Sequence, residues 1–265
     1  MSRLSRGRIY ALLGAVVAVS ALVVTLLSAP AGTSPMHADR PPTNLGGGPH
    51  PAFVPGRPLL LARHKIEFRW APVIHPVAAR QAPSARATVA ELSARTPEGT
   101  TNLVLVIGTA RQRGDKWIHV RLPVLPNNST GWVPRSALGG YHFVTTHLVV
   151  DLERLRATLL RDGRPVFRAP VGVGQAQSPT PRGEFYVRDK LTDYASPFYG
   201  PLAFGTSGRS SVLTDWPAGG FVGIHGTDEP QLIPGRVSHG CIRLRNRDIL
   251  RLGRLMPIGT PLTIE

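Results

Sequence analysis

Proline and glycine interrupt this chain too often for a helical bundle, with 26 Pro and 28 Gly in 265 residues. Proline removes a backbone donor and clashes with the preceding helical turn, and glycine loses the most conformational freedom when ordered. What survives between the interruptions are short apolar runs, which suit strands. Hydrophobic residues make up 42% of the chain, enough to build a core and to exclude wholesale disorder. The chain therefore reads as mainly β.

The 31 Lys and Arg outnumber 16 Asp and Glu, a formal charge of +15. Nucleic acid is the usual partner for such charge, but the N-terminus argues for export. Arg3, Arg6 and Arg8 precede an uncharged apolar run of 21 residues from Ile9 to Ala29. About 20 residues span a bilayer as a helix, and a cleavable signal core has only ~7–15. The arginines hold their end in the cytoplasm, so the rest faces outward. Residues 1–29 are therefore expected to be a basic tip and single-pass membrane anchor, with no nucleic-acid partner. A signal cut near Ala29-Pro30-Ala31-Gly32 is the alternative and would make the protein secreted. The following Pro-rich stretch, residues 30–69, lacks apolar periodicity and reads as a semi-extended spacer.

From about Pro72 to Leu138, apolar runs alternate with turn residues. Leu103–Ile107 reads as a strand and Gly108–Asp115 as a turn. Trp117-Ile118-His119-Val120-Arg121-Leu122 alternates as a half-buried strand should. Pro126–Gly131 is a second turn before Trp132-Val133. These segments resemble bacterial SH3-like domains, so residues 70–139 are expected to form a small β-barrel that binds wall material or acts as a stalk.

Further on, Asp162-Gly163 is a strong hairpin turn signal, with strands on either side and the β pattern continuing through Val187. Asn246 is placed to cap a short helix whose Ile249, Leu252 and Met256 share one face before Pro257 ends it. Pro261–Ile264 makes a last strand. Residues 141–265 thus form a second domain.

The chemistry concentrates in Gly223-Ile224-His225-Gly226-Thr227 and Ser238-His239-Gly240-Cys241-Ile242-Arg243. Cys241 is the chain's single Cys, so it has no disulfide partner within the chain. In an exported protein an unused thiol is a liability, because it oxidises or cross-links. A thiol between two glycine-flanked histidines suits a nucleophile, which needs a lowered pKa and a nearby base. Gly240 lets the backbone approach closely, so its N–H and that of Cys241 are candidates for an oxyanion hole. His225 ends an apolar run that can lie beside the Cys241 strand, so it is the candidate base, oriented through the Gly226 carbonyl. His239, two residues before Cys241 on an extended segment, would face substrate. An inert buried Cys explains neither histidine. Zinc on His225, His239 and Cys241 matches no common ligand spacing, so no metal or cofactor is expected.

The two histidine motifs, with Gly172, Thr180-Pro181-x-Gly183-Glu184-Phe185 and Tyr199-Gly200-Pro201, resemble the L,D-transpeptidase (YkuD-type) catalytic domain. The resemblance implies a β-sandwich-like catalytic domain with one short C-terminal helix, following the SH3-like barrel. It also implies an enzyme that works on peptidoglycan stem peptides through a cysteine acyl-enzyme. Cys241 would be the nucleophile and His225 the base, with Ser238, His239, Arg243 and Tyr199 at the substrate. The product would be a 3→3 cross-link, and carbapenem-type β-lactams would be inhibitors. Some relatives carry Asn where Arg243 stands, which leaves open its role, here read as holding a substrate carboxylate. A hydrolase that trims tetrapeptide stems shares every one of these residues. A non-enzymatic wall-binding protein would need neither Cys241 nor His225. A lid is expected around Tyr194–Ser211.

Overall fold

The computed structural model describes residues 66–192, 197–214 and 220–265. The expected membrane segment and most of the expected spacer lie outside the described residues. Among the described residues, no helix is long and apolar enough to cross a membrane.

The first sheet has seven strands: β1 (Phe68–Pro72), β2 (Val77–Arg80), β3 (Thr88–Leu92), β4 (Leu103–Gln112), β5 (Asp115–Arg121), β6 (Thr130–Pro134) and β7 (His142–Val144). Their order is β3-β2-β6-β5-β4-β1-β7, and the pairings are antiparallel. Ile118 and Val120 alternate inward along β5 and meet Val104, Val133 and Leu138 in one core. Two expectations shift here. The turn expected at Gly108–Asp115 narrows to Arg113-Gly114, both at positive φ, because β4 runs on to Gln112. The sheet also takes residues assigned elsewhere: Phe68 and Arg69 from the spacer, and β7 from the second domain. β7 pairs with β1 and so belongs to the first sheet.

The second sheet comprises β8 (Thr146–Asp151), β9 (Arg156–Arg161), β10 (Arg164–Pro170), β11 (Gly172–Gly174), β12 (Gly183–Leu191), β13 (Ala203–Arg209), β14 (Phe221–His225), β15 (Gly235–Ser238), β16 (Ile242–Arg243) and β17 (Pro261–Ile264). Its order is β10-β9-β8-β17-β12-β13-β14-β16-β11-β15. Strict alternation on β8 turns Thr146, Leu148 and Val150 inward, as a period of two requires. Asp162 and Gly163, at φ 50° and 75°, make the tight turn between β9 and β10 that their sequence announces.

β12 is the hinge of this architecture. Its first half pairs with β17, and its second half pairs with β13 across a bulge between Val187 and Asp189. The two halves of the sheet thereby close on one core, in which Leu148, Leu159 and Leu262 from one half meet Phe204, Ile224 and Ile242 from the other. The helix α1 (Asn246–Leu255) adds Ile249 and Leu252 to the same core. The domain is mainly β, as its sequence predicts, with one short helix near the C-terminus. Asn246 does not cap that helix: Arg245 occupies the N-cap, and Asn246 is the first helical residue.

The two sheets are stitched together. The buried Tyr186 hydroxyl donates to the Leu103 carbonyl at 3.0 Å. Asn127 exchanges two hydrogen bonds with the Arg209 backbone, at 2.7 and 2.9 Å.

Candidate active site

β14 and β16 lie side by side and parallel, with Ile224 opposite Ile242 and His225 opposite Arg243. Cys241 immediately precedes β16, so the thiol falls level with Gly223 on the neighbouring strand. The Gly223 N–H donates to Cys241 Sγ at 3.4 Å. A β-carbon added at Gly223 would stand 3.8 Å from both Cys241 Sγ and His225 Cδ2. Thiol and imidazole therefore flank one position on the pocket wall, left open because residue 223 has no side chain.

His225 is fixed from three directions. Its Nδ1 lies 2.6 Å from the Gly226 carbonyl, which can only accept, so Nδ1 carries the proton and Nε2 keeps the lone pair. Tyr199 packs edge-on against the ring, with centroids 4.9 Å apart. Asn246 Oδ1 accepts the Thr227 N–H at 2.9 Å, and it blocks any side chain at Gly226 or Gly200. Instead of capping its own helix, Asn246 holds the turn that follows the histidine.

Burial shapes the titration of both groups. Desolvation lowers the His225 pKa to about 4, aided by the positive charge of Arg243 and opposed by the Gly226 hydrogen bond. Cys241 is half-buried, and its enclosed sulfur is pushed above the ordinary thiol range by desolvation. The Gly223 N–H and Arg243 pull partly the other way. The expectation of a lowered thiol pKa does not hold for this resting site. Near neutrality the site holds a thiol and a neutral imidazole, not a pre-formed ion pair.

Arg243 is 4% exposed. It pairs with Glu229 at 3.2 Å and lies 4.4 Å over the Phe198 ring. It lines the pocket with Tyr199, His239 and Phe221.

The structure refines three expectations. The Gly240 N–H donates to Ser238 Oγ at 3.1 Å, so of the two expected oxyanion donors only the Cys241 N–H remains. Ser238 lines the pocket as expected, but it is 1% exposed and its hydroxyl donates to the Cys241 carbonyl at 2.6 Å, so it also braces the turn. His239 is not on an extended strand. Residues 239–241 reverse direction between β15 and β16, with Gly240 at φ +119°, and His239 is exposed at the pocket rim. Thr180 pins that reversal: its hydroxyl donates to the Gly240 carbonyl and accepts the Gly174 N–H, each at 2.8 Å.

The expected lid is also redrawn. Residues 193–196 lie outside the described residues, and Ala203–Arg209 is an interior strand. The pocket rim takes the turn Pro197–Tyr199 and Ser210 from the expected span and adds Leu213, Gly220 and Phe221 from beyond it. Glu229 and Phe198 escaped the sequence reading, because no local spacing links them to Arg243. Among the described residues, no group of three or more His, Cys, Asp or Glu is placed to hold a metal.

Comparison with known proteins adds independent findings. The YkuD family model, described as the L,D-transpeptidase catalytic domain, matches residues 145–264, a span that includes every candidate site residue. The putative L,D-transpeptidase YkuD of Bacillus subtilis is 33% identical over 119 residues, 45% of this chain and 65% of that protein. The chain thus spans a little under two thirds of that relative's length. The putative L,D-transpeptidase YqjB of the same organism is 34% identical over 127 residues, 44% of this chain and 70% of that protein. The solved catalytic domain of the Enterococcus faecium L,D-transpeptidase is 27% identical, covers 45% of this chain and 96% of its own, and superposes with a TM-score of 0.36.

Proposed function

Because the chain belongs to the YkuD family of L,D-transpeptidase catalytic domains, we propose that it is a wall-facing transpeptidase that joins peptidoglycan stem peptides by 3→3 cross-links through an acyl-enzyme on Cys241. The observation that carries this reading is the single thiol and the tautomer-fixed His225 flanking Gly223 in one pocket.

In this reading Cys241 Sγ attacks the carbonyl carbon of the third residue of a donor stem as its proton passes to His225 Nε2. Keeping both groups neutral beforehand suits concerted transfer, since a base with its lone pair free is present throughout the neutral range. The Cys241 N–H is available to the oxyanion. The carbon–nitrogen bond then breaks, and the departing D-alanine amine takes the proton back from His225. The thioester next meets the side-chain amine of an acceptor stem. His225 removes the amine proton, the new carbon–nitrogen bond forms, and the sulfur leaves and is reprotonated. Water as acceptor would release a tripeptide instead.

Placement completes the reading. The apolar run from Ile9 to Ala29 anchors the chain with its C-terminal part outside, and the first sheet serves as an SH3-like stalk. Carbapenem-type β-lactams acylate the same sulfur. The test is mass analysis of tetrapeptide muropeptides incubated with the wild type and with Cys241→Ala. A cross-linked dimer and a transient protein adduct are expected with the wild type only. Tripeptide alone would make the protein a carboxypeptidase, and an adduct surviving in the Ala variant would overturn the nucleophile.

A further inference from the structure

A second cavity, of about 370 Å³, lies at the junction of the two sheets. The first sheet's side supplies Glu91, Arg95 and Asn102, and the second supplies Arg188, Arg209 and Phe221. Its size falls within the ~300–1,000 Å³ of small-ligand sites.

Arg188 dominates its floor. Only 2% of the residue is exposed, yet its Nε and Nη1 have no hydrogen-bond partner in the protein. Its nearest acid, Glu98, stands 3.6 Å from Nη2, an ion pair too long to be a hydrogen bond. The guanidinium lies 4.0 Å over the Phe221 ring. Burying a charge with donors unmet is costly, because nothing replaces the hydrogen bonds those donors made to water.

The backbone is bent to put it there. Val187 pairs with Thr206 and Asp189 with Gly205, so Arg188 is the extra residue of the β12 bulge. Bulges re-aim side chains and gather beside functional sites. Asn102, 5% exposed, also lines the cavity; its Nδ2 donates to the Ser93 carbonyl, while its Oδ1 is unpartnered. Arg188 and Asn102 thus line the cavity with two guanidinium donors and an amide acceptor unmet, each nearly without accessible surface of its own, so a ligand engages them as those side chains turn toward it. A ligand that answers both carries a carboxylate and an N–H, as the end of a peptide does. Arg209 and Arg95 add positive charge against Glu91 and Glu98.

We propose that the junction cavity is a second, non-catalytic binding site for a short peptide with a free C-terminal carboxylate, held by Arg188 and Asn102. Phe221 lines both this cavity and the Cys241 pocket, so the two sites share one wall. The carboxylate site itself stands on the junction geometry. That the peptide is a wall stem ending in D-alanine rests on the proposed function.

The test uses the full chain carrying Cys241→Ala, so that no turnover intervenes, titrated calorimetrically with N-acetyl-D-alanyl-D-alanine. Binding is expected, at least tenfold weaker for the C-terminal amide and for sulfate. Arg188→Met should weaken it at least tenfold, and Arg243→Met by less than twofold. Val124→Trp, which fills the cavity from the first sheet, should match Arg188→Met and carries the test if that variant does not fold. Loss in Arg243→Met alone would assign binding to the Cys241 pocket and overturn the proposal. Equal binding of the amide or of sulfate would overturn the peptide carboxylate, and no binding at all would overturn the site. None of these outcomes depends on whether Cys241 is acylated in the wild type.

Discussion

Arg243 lies 3.2 Å from Glu229 and 4.4 Å over the Phe198 ring, while Arg188 lies 3.6 Å from Glu98 and 4.0 Å over the Phe221 ring. Both arginines are almost fully buried, and each is held between an acid and an aromatic face. Their surroundings differ. The Arg243 cleft contains a thiol, an imidazole and about 30 Å³ of free space, and the Arg188 cleft has neither thiol nor imidazole among its described lining residues and about 370 Å³. The same cationic cradle thus serves two ends. Beside Cys241 it supplies positive potential in a tight site where bonds can change. At the junction it has room and unmet donors, which suits holding a ligand. Chemistry is decided by what stands next to the arginine, and the largest expected effects fall on those neighbours.

Replacing His225 should divide the clefts most sharply. His225→Gln removes the base while retaining a polar side chain, and we expect thiol acylation to slow by about 10²–10⁴-fold, the range for a positioned general base. Iodoacetamide alkylation followed against pH should also slow near neutrality, whereas peptide binding at the junction should not change. A larger loss of thiol reactivity in His239→Ala would reverse the assignment of the two histidines.

Acid should pull the two clefts in opposite directions. The His225 pKa falls from 6.5 unfolded to about 4 folded, because burial disfavours the charged ring. Between those values the unfolded chain binds the extra proton. The native state therefore loses up to about 3 kcal/mol as pH falls from 6.5 towards 4. Asp189, beside Arg188, has its carboxyl raised above 3.8 chiefly by burial. Its native form takes up a proton first, so stability is gained as pH falls through that raised value. Urea unfolding at pH 7, 5.5 and 4 should show a shallower acid loss in His225→Gln and a steeper one in Asp189→Asn. Parallel slopes in all three proteins would refute the opposition.

These contrasts also mark what the sequence discloses. Alternation in β5 and β8, the Asp162-Gly163 turn and the helix ended by Pro257 are local patterns, and local patterns survive into the fold. Cys241 and His225 were legible as chemistry because a single thiol between glycine-flanked histidines has few other uses. The Gly240 donor was misread for a physical reason: a hydroxyl two residues from a glycine can satisfy that glycine's N–H itself, and here Ser238 does. Asn246 looked like a cap because Asn favours that position, but tertiary contact with Thr227 outcompeted it. The junction cradle was invisible, since Glu98 sits in the connection between β3 and β4 while Arg188 comes from β12, and the bulge that aims Arg188 leaves no trace in composition.

Asn246→Ala sharpens the comparison at an intermediate scale. It removes the acceptor of the Thr227 N–H and loosens the turn behind His225. We expect a loss of about 1–2 kcal/mol for an unmet backbone donor, read by urea unfolding. Turnover should fall more than substrate affinity, because the base is misplaced while Arg243 and Tyr199 are untouched. Asn246→Asp keeps the acceptor and should restore most of both, and failure of that rescue would show that Asn246 acts through another contact.

The smallest effect separates the acids of the two cradles. Glu229 keeps 46% of its side chain exposed, against 16% for Glu98. Glu229→Gln should therefore cost no more than about 1 kcal/mol, the range of solvent-screened pairs, and Glu98→Gln several-fold more, since it strands the almost fully buried Arg188. The chemical consequence runs the other way. Arg243 lowers the pKa of both Cys241 and His225, and Glu229 offsets part of its field. Without that carboxylate the thiolate is favoured slightly more, so Glu229→Gln should raise the iodoacetamide rate at neutral pH by less than about threefold, a shift of under half a pKa unit. Glu98→Gln should leave that rate at the wild-type value. Slower alkylation in Glu229→Gln would mean that the acid positions Arg243 more than it screens it.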